Sequence, residues 1–194
     1  PTLTGLGERS HLLHQQIDLD LHIQDIVAML DYEDLHDVTL VGHSYGGMVI
    51  TGVADRERAR INKLVYLDAF MPDNGKSLQD YTPTAFEKLA KESDAEGWRV
   101  PMLGGSVEKF GVTDKDDIKW MSPRVGVQPL KTFTSALKLS APLEKSLTIA
   151  YVQLSDNRPH FNEAAERAKQ LGFEVHKFLE GGHDAMITRP ADLA

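Results

Sequence analysis

A short apolar run that ends in a glycine-rich turn constrains the fold of this chain more than any other feature. Residues 38–41, Val-Thr-Leu-Val, lead directly into Gly-His-Ser-Tyr-Gly-Gly at residues 42–47. From residue 48 to residue 54 the apolar side chains recur with helical spacing. Such a run is typical of a buried strand, and clustered glycines mark a tight turn. The sequence therefore predicts a strand, a sharp turn and a helix in immediate succession.

Strands and helices alternate along much of the remaining chain. Apolar runs predict strands at residues 64–67, at residues 147–152 and, more weakly, at residues 173–178. Helical spacing predicts amphipathic helices over residues 18–31 and 161–171, whereas residues 1–17 have no sustained period and predict a loop. This alternation indicates an α/β fold in which helices cover both faces of a parallel sheet.

The segment 72–141 interrupts the alternation with helical patches at residues 84–91, 114–121 and 128–138. Connections in compact domains have a median length of about 4–6 residues, so a segment of this length predicts a structured insertion. We expect a helical lid over residues 72–141, inserted between two parts of one α/β core at residues 1–71 and 142–194.

Composition narrows the class of partner. The 194 residues are 41% hydrophobic, which suits one globular domain with its own core. With 21 Lys+Arg and 29 Asp+Glu the net charge is −8, which repels nucleic acids and acidic membrane surfaces. No apolar run approaches the roughly 18 residues of a membrane helix. The absence of cysteine excludes disulfides and Cys-bound zinc. It is compatible with both a reducing and an oxidising compartment. A small neutral molecule is the expected partner.

Gly42-His43-Ser44-Tyr45-Gly46 matches the pattern G-x-S-x-G between the predicted strand and helix. In that context a strained turn exposes the serine hydroxyl as a nucleophile, and Gly42 and Gly46 avoid bulky side chains on either side. The N–H of Tyr45 would begin the helix and face a developing oxyanion. The alternative interpretation is an ordinary turn whose serine caps the helix.

A serine nucleophile needs a base, and His183 is the best candidate among eight histidines. It lies in Gly181-Gly182-His183-Asp184, directly after the last predicted strand, at the carboxyl edge of the sheet. His43 belongs to the turn and is expected to line the pocket. His11 and His14 lack an obvious third ligand, so no metal site is expected. The others lie in loops or on helix and strand faces: His22, His36, His160 and His176.

Two aspartates could orient the base. Asp156 follows the strand at residues 147–152, and Asp68 follows the strand at residues 64–67. The chain order Ser, Asp, His of such folds admits both. We favour Asp156 because it lies in a polar loop one strand before His183, whereas Asp68 precedes an apolar stretch and could equally cap the entrance of the insertion.

Three segments carry a family resemblance: PTLTGLGERSHL at residues 1–12, VGHSYGGM at residues 41–48 and GGHDAM at residues 181–186. The chain resembles the α/β-hydrolases, and within them the small carboxylesterases that include pyrethroid hydrolases and plant relatives of salicylate esterases and hydroxynitrile lyases. The resemblance implies an esterase fold with the triad Ser44, Asp156 and His183 and a helical lid over an acyl pocket. We expect a serine carboxylesterase that uses no cofactor and hydrolyses small to medium, largely apolar esters.

The alternatives are a hydroxynitrile lyase and a non-catalytic receptor for a small ligand on the same fold. In the nitrile lyase branch a lysine follows the catalytic histidine, but this chain has Asp184 there, which argues against cyanohydrin cleavage. The expected location is cytoplasmic, with secretion not excluded, and a homodimer is left open.

The first residue is Pro1, and the strands and His-Gly loop with which such relatives open do not precede it. That loop supplies the second oxyanion donor in the relatives. We therefore expect a longer protein of about 230–250 residues, the usual size of one α/β domain. We also expect the strand at residues 38–41 to pair with the strand at residues 64–67 on one edge and to be bare, or closed by another chain, on the other.

Overall fold

A four-stranded parallel sheet forms the centre of the computed structural model, which describes residues 1–102, 105–142, 147–155 and 157–194. Its strands are β1 (Val38–Ser44), β2 (Ile61–Ala69), β5 (Thr148–Gln153) and β6 (Glu174–Lys177), and they lie side by side in the order β1-β2-β5-β6. All four predicted strands are confirmed. Their parallel order brings the carboxyl ends of β1, β2, β5 and β6 to one edge.

The register of β1 confirms its predicted partner. Leu40 pairs with Leu64 and Val41 with Val65. Within the described ranges no strand pairs with the other edge of β1. Thr39 and Val41 are exposed, Val41 at 53%. Val38 and Leu40, whose side chains point to the opposite face of β1, are partly buried.

Two helices pack against the sheet, and a third packs on one of them. Helix α2 (Gly46–Arg56) contacts β1 and β2, and α7 (Pro159–Gln170) contacts β2, β5 and β6. Helix α1 (Leu19–Tyr32) packs on α2, and the Asp18 side chain caps its first turn by accepting from the Leu21 N–H. The core contains Leu30, Met48, Val53, Leu64, Tyr151 and Phe161, each at most 1% exposed. These contacts fix α2, and with it the turn that precedes it.

The segment between β2 and β5 contains short helices and one small antiparallel pair. Its helices are α3 (Leu78–Tyr81), α4 (Pro83–Glu92), α5 (Lys115–Met121) and α6 (Leu130–Thr134), and its strands are β3 (Arg99–Val100) and β4 (Gln128–Pro129). The patches at residues 84–91 and 114–121 are helical as expected. The third patch, 128–138, is helical only over α6, because its first two residues pair with β3.

The two ends of the chain contain short helical elements. Residues 1–17, expected as a loop, include a 3-10 helix at Gly7–Leu12. After β6 the chain passes through the loop of His183 and forms α8 (Ala185–Thr188) and α9 (Pro190–Leu193). Among the described residues, no helix has the length and apolar character needed to cross a membrane.

Candidate active site

Ser44 lies at the end of β1 in a strained conformation. Its φ is +54°, in the left-handed region that residues other than glycine rarely adopt. A Cβ atom on Gly42 would lie 2.6 Å from the carbonyl oxygen of Gly46, so only glycine fits where the chain folds back. Such strain persists only when the surrounding structure enforces it, and it is concentrated at functional sites. The turn holds the Ser44 side chain at the carboxyl edge of the sheet, as the sequence predicts.

The second glycine that the turn requires is not the one expected. A Cβ on Gly46 would meet no atom within 4 Å, whereas a Cβ on Gly47 would lie 2.0 Å from the carbonyl oxygen of Phe70. The steric argument for Gly46 is therefore wrong. The close approach occurs one residue later, where α2 packs on the chain that leaves β2, and local sequence gives no signal for such a long-range contact.

The residue after Ser44 begins the helix. Tyr45 has right-handed helical dihedral angles, φ −54° and ψ −31°, and directly precedes α2. The first N–H groups of a helix have no partner within the helix and carry a partial positive charge. On the other side of the turn, the Ser44 carbonyl accepts a hydrogen bond of 3.1 Å from the Phe70 N–H. The turn is thus attached to the end of β2.

His183 lies on the loop after β6, as expected, and is only 3% exposed. Its ring stacks on Phe161 at 5.0 Å and lies 5.5 Å from the ring of Phe110, which belongs to the inserted segment. The N–H of Asp184 donates to the Phe110 carbonyl at 3.1 Å. In the described structure no hydrogen bond joins the Ser44 hydroxyl to His183. Catalytic hydrogen bonds are often long or poorly aligned until substrate binds.

The carboxylate in contact with His183 belongs to Asp68. Its Oδ2 lies 2.7 Å from His183 Nδ1, and the Asp68 side chain is fully buried. Asp68 Oδ1 accepts from the N–H groups of Leu154 at 3.1 Å and Ser155 at 3.4 Å, and Oδ2 accepts from the Ser155 hydroxyl at 3.2 Å. A buried carboxylate requires such partners. These bonds hold Asp68 between the histidine loop and the loop after β5.

Asp156, which the sequence predicts in this role, lies outside the described residues, and its assignment stays a prediction. Asp68, the alternative, is the carboxylate that the structure places at the ring, and it does more than cap the entrance of the insertion. The sequence analysis did not favour Asp68 because the sequence does not give the order of the strands in the sheet. Since β2 lies between β1 and β5, the end of β2 lies beside the segments that follow these two strands. One signal was available in the sequence: Asp68 is a charged residue directly after the apolar run at residues 64–67. In the structure Asp68 has a left-handed φ of +42°.

His43 connects the turn to the histidine loop. Its Nε2–H donates to the His183 carbonyl at 2.9 Å, and the two rings lie 4.3 Å apart. Burial, together with the nearby His183, lowers the pKa of His43 to about 3, so the ring is neutral at working pH. The ligand atoms of His43, His183 and Asp184 lie within 4.8 Å of one another and could hold a metal ion. The expectation of no metal remains a prediction.

A cavity of about 170 Å³ opens beside Ser44 and Tyr45. Its walls are mainly apolar and come from the ends of the core strands and from the inserted segment. The apolar lining includes Phe70, Leu78, Val100, Phe110, Val125 and Phe133, and Gln128 adds a polar group. The arrangement offers a hydroxyl, an imidazole with a buried carboxylate behind it, and an apolar space large enough for a small organic group.

Comparison with known proteins agrees with this geometry. A family model described as the alpha/beta hydrolase family matches residues 1–194. The chain belongs to the α/β-hydrolase family. The carbendazim hydrolyzing esterase of Nocardioides sp. (strain SG-4G) is 38% identical over 205 residues, which span 100% of this α/β-hydrolase and 84% of that relative.

More distant relatives share the fold. Methylesterase 2 of Arabidopsis thaliana is 30% identical over 126 residues, 57% of this α/β-hydrolase and 44% of that relative. The solved structure of an extracellular α/β-hydrolase from a Paenibacillus species matches with a TM-score of 0.80 and 20% identity, over 100% of this chain and 82% of that one. A pyrethroid hydrolase from Sphingobium faniae JZ-2 matches with a TM-score of 0.66 and 18% identity, over 91% and 75%. The expected family and fold are confirmed, and the expectation of an ester hydrolase agrees with the name of the 38% identical relative.

Alanine at Gly47 and alanine at Gly46 should have opposite effects on this α/β-hydrolase. Gly47→Ala forces a Cβ against the Phe70 carbonyl and should lower the free energy of unfolding by at least about 2–3 kcal/mol. Gly46→Ala meets open space at the start of a helix and should be neutral or stabilising by up to about 1 kcal/mol. Urea denaturation measures both. Equal effects of the two substitutions would contradict the described turn.

His160 should make the protein less stable in mild acid. Burial, and secondly the charge of Arg158, lower the pKa of His160 to about 4, whereas an unfolded histidine titrates near 6.5. Between these values the folded state binds fewer protons than the unfolded state, so stability falls as pH falls below 6.5. His160→Phe keeps the aromatic stack on Phe70 and removes the titration. Denaturation at pH 7.5 and 5.5 should show a loss about 1 kcal/mol smaller in the variant than in the wild type; an equal loss would assign the effect to other groups.

Proposed function

We propose that this protein is a serine carboxylesterase that hydrolyses small to medium, largely apolar esters through an acyl-enzyme. The main support is the pairing of a strained Ser44, at the turn from β1 to α2, with a buried imidazole that has a carboxylate 2.7 Å behind it. A serine that only caps a helix would need neither the left-handed backbone conformation of Ser44 nor the contact between His183 and Asp68. The 38% identical relative is named as an esterase, which supports the same reaction class.

In the proposed mechanism the Ser44 hydroxyl attacks the ester carbonyl while His183 Nε2 accepts the hydroxyl proton. The carbonyl oxygen becomes an oxyanion, which the Tyr45 N–H stabilises at the start of α2. His183 then returns the proton to the leaving alcohol, and the acyl group stays on Ser44. Water, activated by His183, releases the acid and regenerates the serine.

Asp68 is the carboxylate that we propose to orient His183. The ring accepts the serine proton at Nε2 only if Nδ1 carries a hydrogen, and an ionised carboxylate at Nδ1 favours that tautomer. The same carboxylate stabilises the imidazolium that forms in the transition state. The contact of 2.7 Å, without exposure to water, supports this assignment. Asp156, which the sequence favours because it lies in a polar loop one strand before His183, remains the alternative.

The substrate class follows from the cavity beside Ser44. About 170 Å³ with mainly apolar walls fits a short acyl or alcohol group, and the net charge of −8 disfavours anionic substrates. We propose that residues 72–141 act as a lid, because Val100, Phe110 and Val125 of this segment line the cavity. The names carbendazim hydrolyzing esterase and Methylesterase 2 make carbendazim and methyl esters the first compounds to assay.

Replacing the nucleophile tests the proposed reaction. Ser44→Ala should lower turnover of p-nitrophenyl acetate by about 10⁴-fold or more, because the remaining groups cannot form the acyl-enzyme. Stopped-flow absorbance on the wild type should show a burst of p-nitrophenol if deacylation is the slower step. Gly46→Ala, which adds a methyl group in open space, is the matched control for changes in the turn.

Two results would contradict the esterase. Retained turnover in Ser44→Ala would show that Ser44 is not the nucleophile. Binding of a small ligand without turnover, with equal affinity in the wild type and in Ser44→Ala, would favour a receptor. A mandelonitrile assay tests the lyase. Asp184 is only 6% exposed and its carboxylate lies 3.7 Å from His43 Nε2, so the position after His183 offers a carboxylate to the site rather than an ammonium group.

The acid is tested by a pair of matched substitutions. Asp68→Asn should lower kcat by about 10²–10⁴-fold, because an amide allows the wrong tautomer of His183, whereas Asp156→Asn should change kcat by less than about threefold. Circular dichroism and thermal unfolding check that both variants fold. The reverse ranking would assign the role to Asp156, the aspartate that the sequence analysis favours.

A further inference from the structure

His22 is a buried histidine that the proposed mechanism does not use. It lies in α1 at 0% exposure, between the N-terminal segment and the turn of Ser44. Its Nε2 lies 3.0 Å from the Thr4 carbonyl oxygen, and its Nδ1 lies 2.9 Å from the Tyr45 hydroxyl. Both ring nitrogens therefore have partners, and one of these partners belongs to the residue that follows the nucleophile.

The two partners determine the tautomer. A backbone carbonyl can only accept, so Nε2 of His22 carries the hydrogen and donates it to Thr4. Nδ1 is then a bare acceptor, and the Tyr45 hydroxyl donates to it. Burial lowers the pKa of His22, which favours the neutral ring that this arrangement needs. The bond has a fixed direction, from the phenol to the imidazole.

Thr4, the partner of His22 Nε2, is held in place by contacts that do not involve Tyr45. Asp25 accepts from the Thr4 N–H and from the Thr4 hydroxyl, each at 2.7 Å. Arg9 reaches the same carboxylate at 3.4 Å. This clamp fixes the Thr4 carbonyl, and the carbonyl fixes the Nε2 end of the His22 ring. The imidazole is therefore a rigid acceptor for the phenol.

Tyr45, the partner of His22 Nδ1, forms part of the wall of the cavity beside Ser44. Its ring lies 6.3 Å from Phe133 of α6. Its backbone N–H is the proposed oxyanion donor. Since this side chain is bound at its hydroxyl end and packed along its ring, the backbone of Tyr45 has little freedom to turn away from Ser44.

We propose that His22 is a positioning residue for ester hydrolysis, which acts by holding the Tyr45 hydroxyl and thereby the oxyanion donor and one wall of the cavity. This inference rests on the proposed esterase function. Positioning of a donor matters mainly in the transition state, where the charge on the carbonyl oxygen develops. Loss of the bond should therefore reduce kcat more than it changes KM.

Steady-state kinetics on p-nitrophenyl acetate tests this inference with Tyr45→Phe, His22→Leu and the double variant. Each single substitution should lower kcat about tenfold and change KM less than about twofold, because a displaced donor costs less than the 10²–10³-fold of a missing one. The double variant should lose no more than the larger single loss, because both substitutions remove the same bond. His22→Asn keeps an acceptor near the position of Nδ1 and should recover part of kcat.

Asp25→Asn is the matched control. It weakens the hydrogen bonds that hold Thr4 but leaves the bond between His22 and Tyr45 in place, so it should lower the melting temperature and lower kcat less than His22→Leu does. Equal kcat in the wild type, Tyr45→Phe and His22→Leu would overturn the inference, as would independent losses that multiply in the double variant. A loss of kcat in Asp25→Asn as large as in His22→Leu would assign the effect to docking of the N-terminal segment. Failure of the esterase itself is distinct, since the wild type would then show no turnover that Ser44→Ala removes.

Discussion

The site depends on one close backbone contact, where the turn of Ser44 meets the end of β2. Gly47 lies so near the Phe70 carbonyl that a single carbon atom cannot be added, and the Phe70 N–H donates to the Ser44 carbonyl. These two contacts set the separation between the turn and the chain just beyond Asp68. The left-handed conformation of Ser44 can be maintained because the rigid sheet and α2 hold the turn on both sides.

A buried charge accompanies this geometry. Asp68 is fully buried, and desolvation of an ionised carboxylate costs several kcal/mol unless hydrogen bonds and an opposite charge offset it. The loop after β5 supplies two N–H groups and one hydroxyl, and His183 supplies a fourth donor. Three parts of the chain that are far apart in sequence thus converge on one side chain. The loops after β2, β5 and β6 have to fold together for any of them to be satisfied.

Local chemistry made much of this structure predictable. The strands, the main helices, Ser44 and His183 follow from apolar periodicity and from residues whose neighbours in sequence define them. Contacts between distant segments could not be predicted in this way. The roles of Gly47 and His22 depend on Phe70 and on Thr4 and Tyr45, which the sequence does not place beside them. The position of Asp68 depends on the order of strands in the sheet, and the short pair β3 and β4 depends on a register that two residues cannot specify.

The inserted segment, part of which lines the cavity, is joined to the histidine loop by main-chain contacts. The Asp184 N–H donates to the Phe110 carbonyl. The Arg158 side chain, which precedes α7, also donates to the Lys109 carbonyl at 2.8 Å and lies over the Phe110 ring. A Cβ on Gly182 would lie 2.9 Å from the Cα of Gly111, so the two backbones are in direct contact. If residues 72–141 open as the proposed lid, movement of the part around Phe110 would break these contacts and free the loop that carries His183. Access to the cavity and placement of the base would then change together.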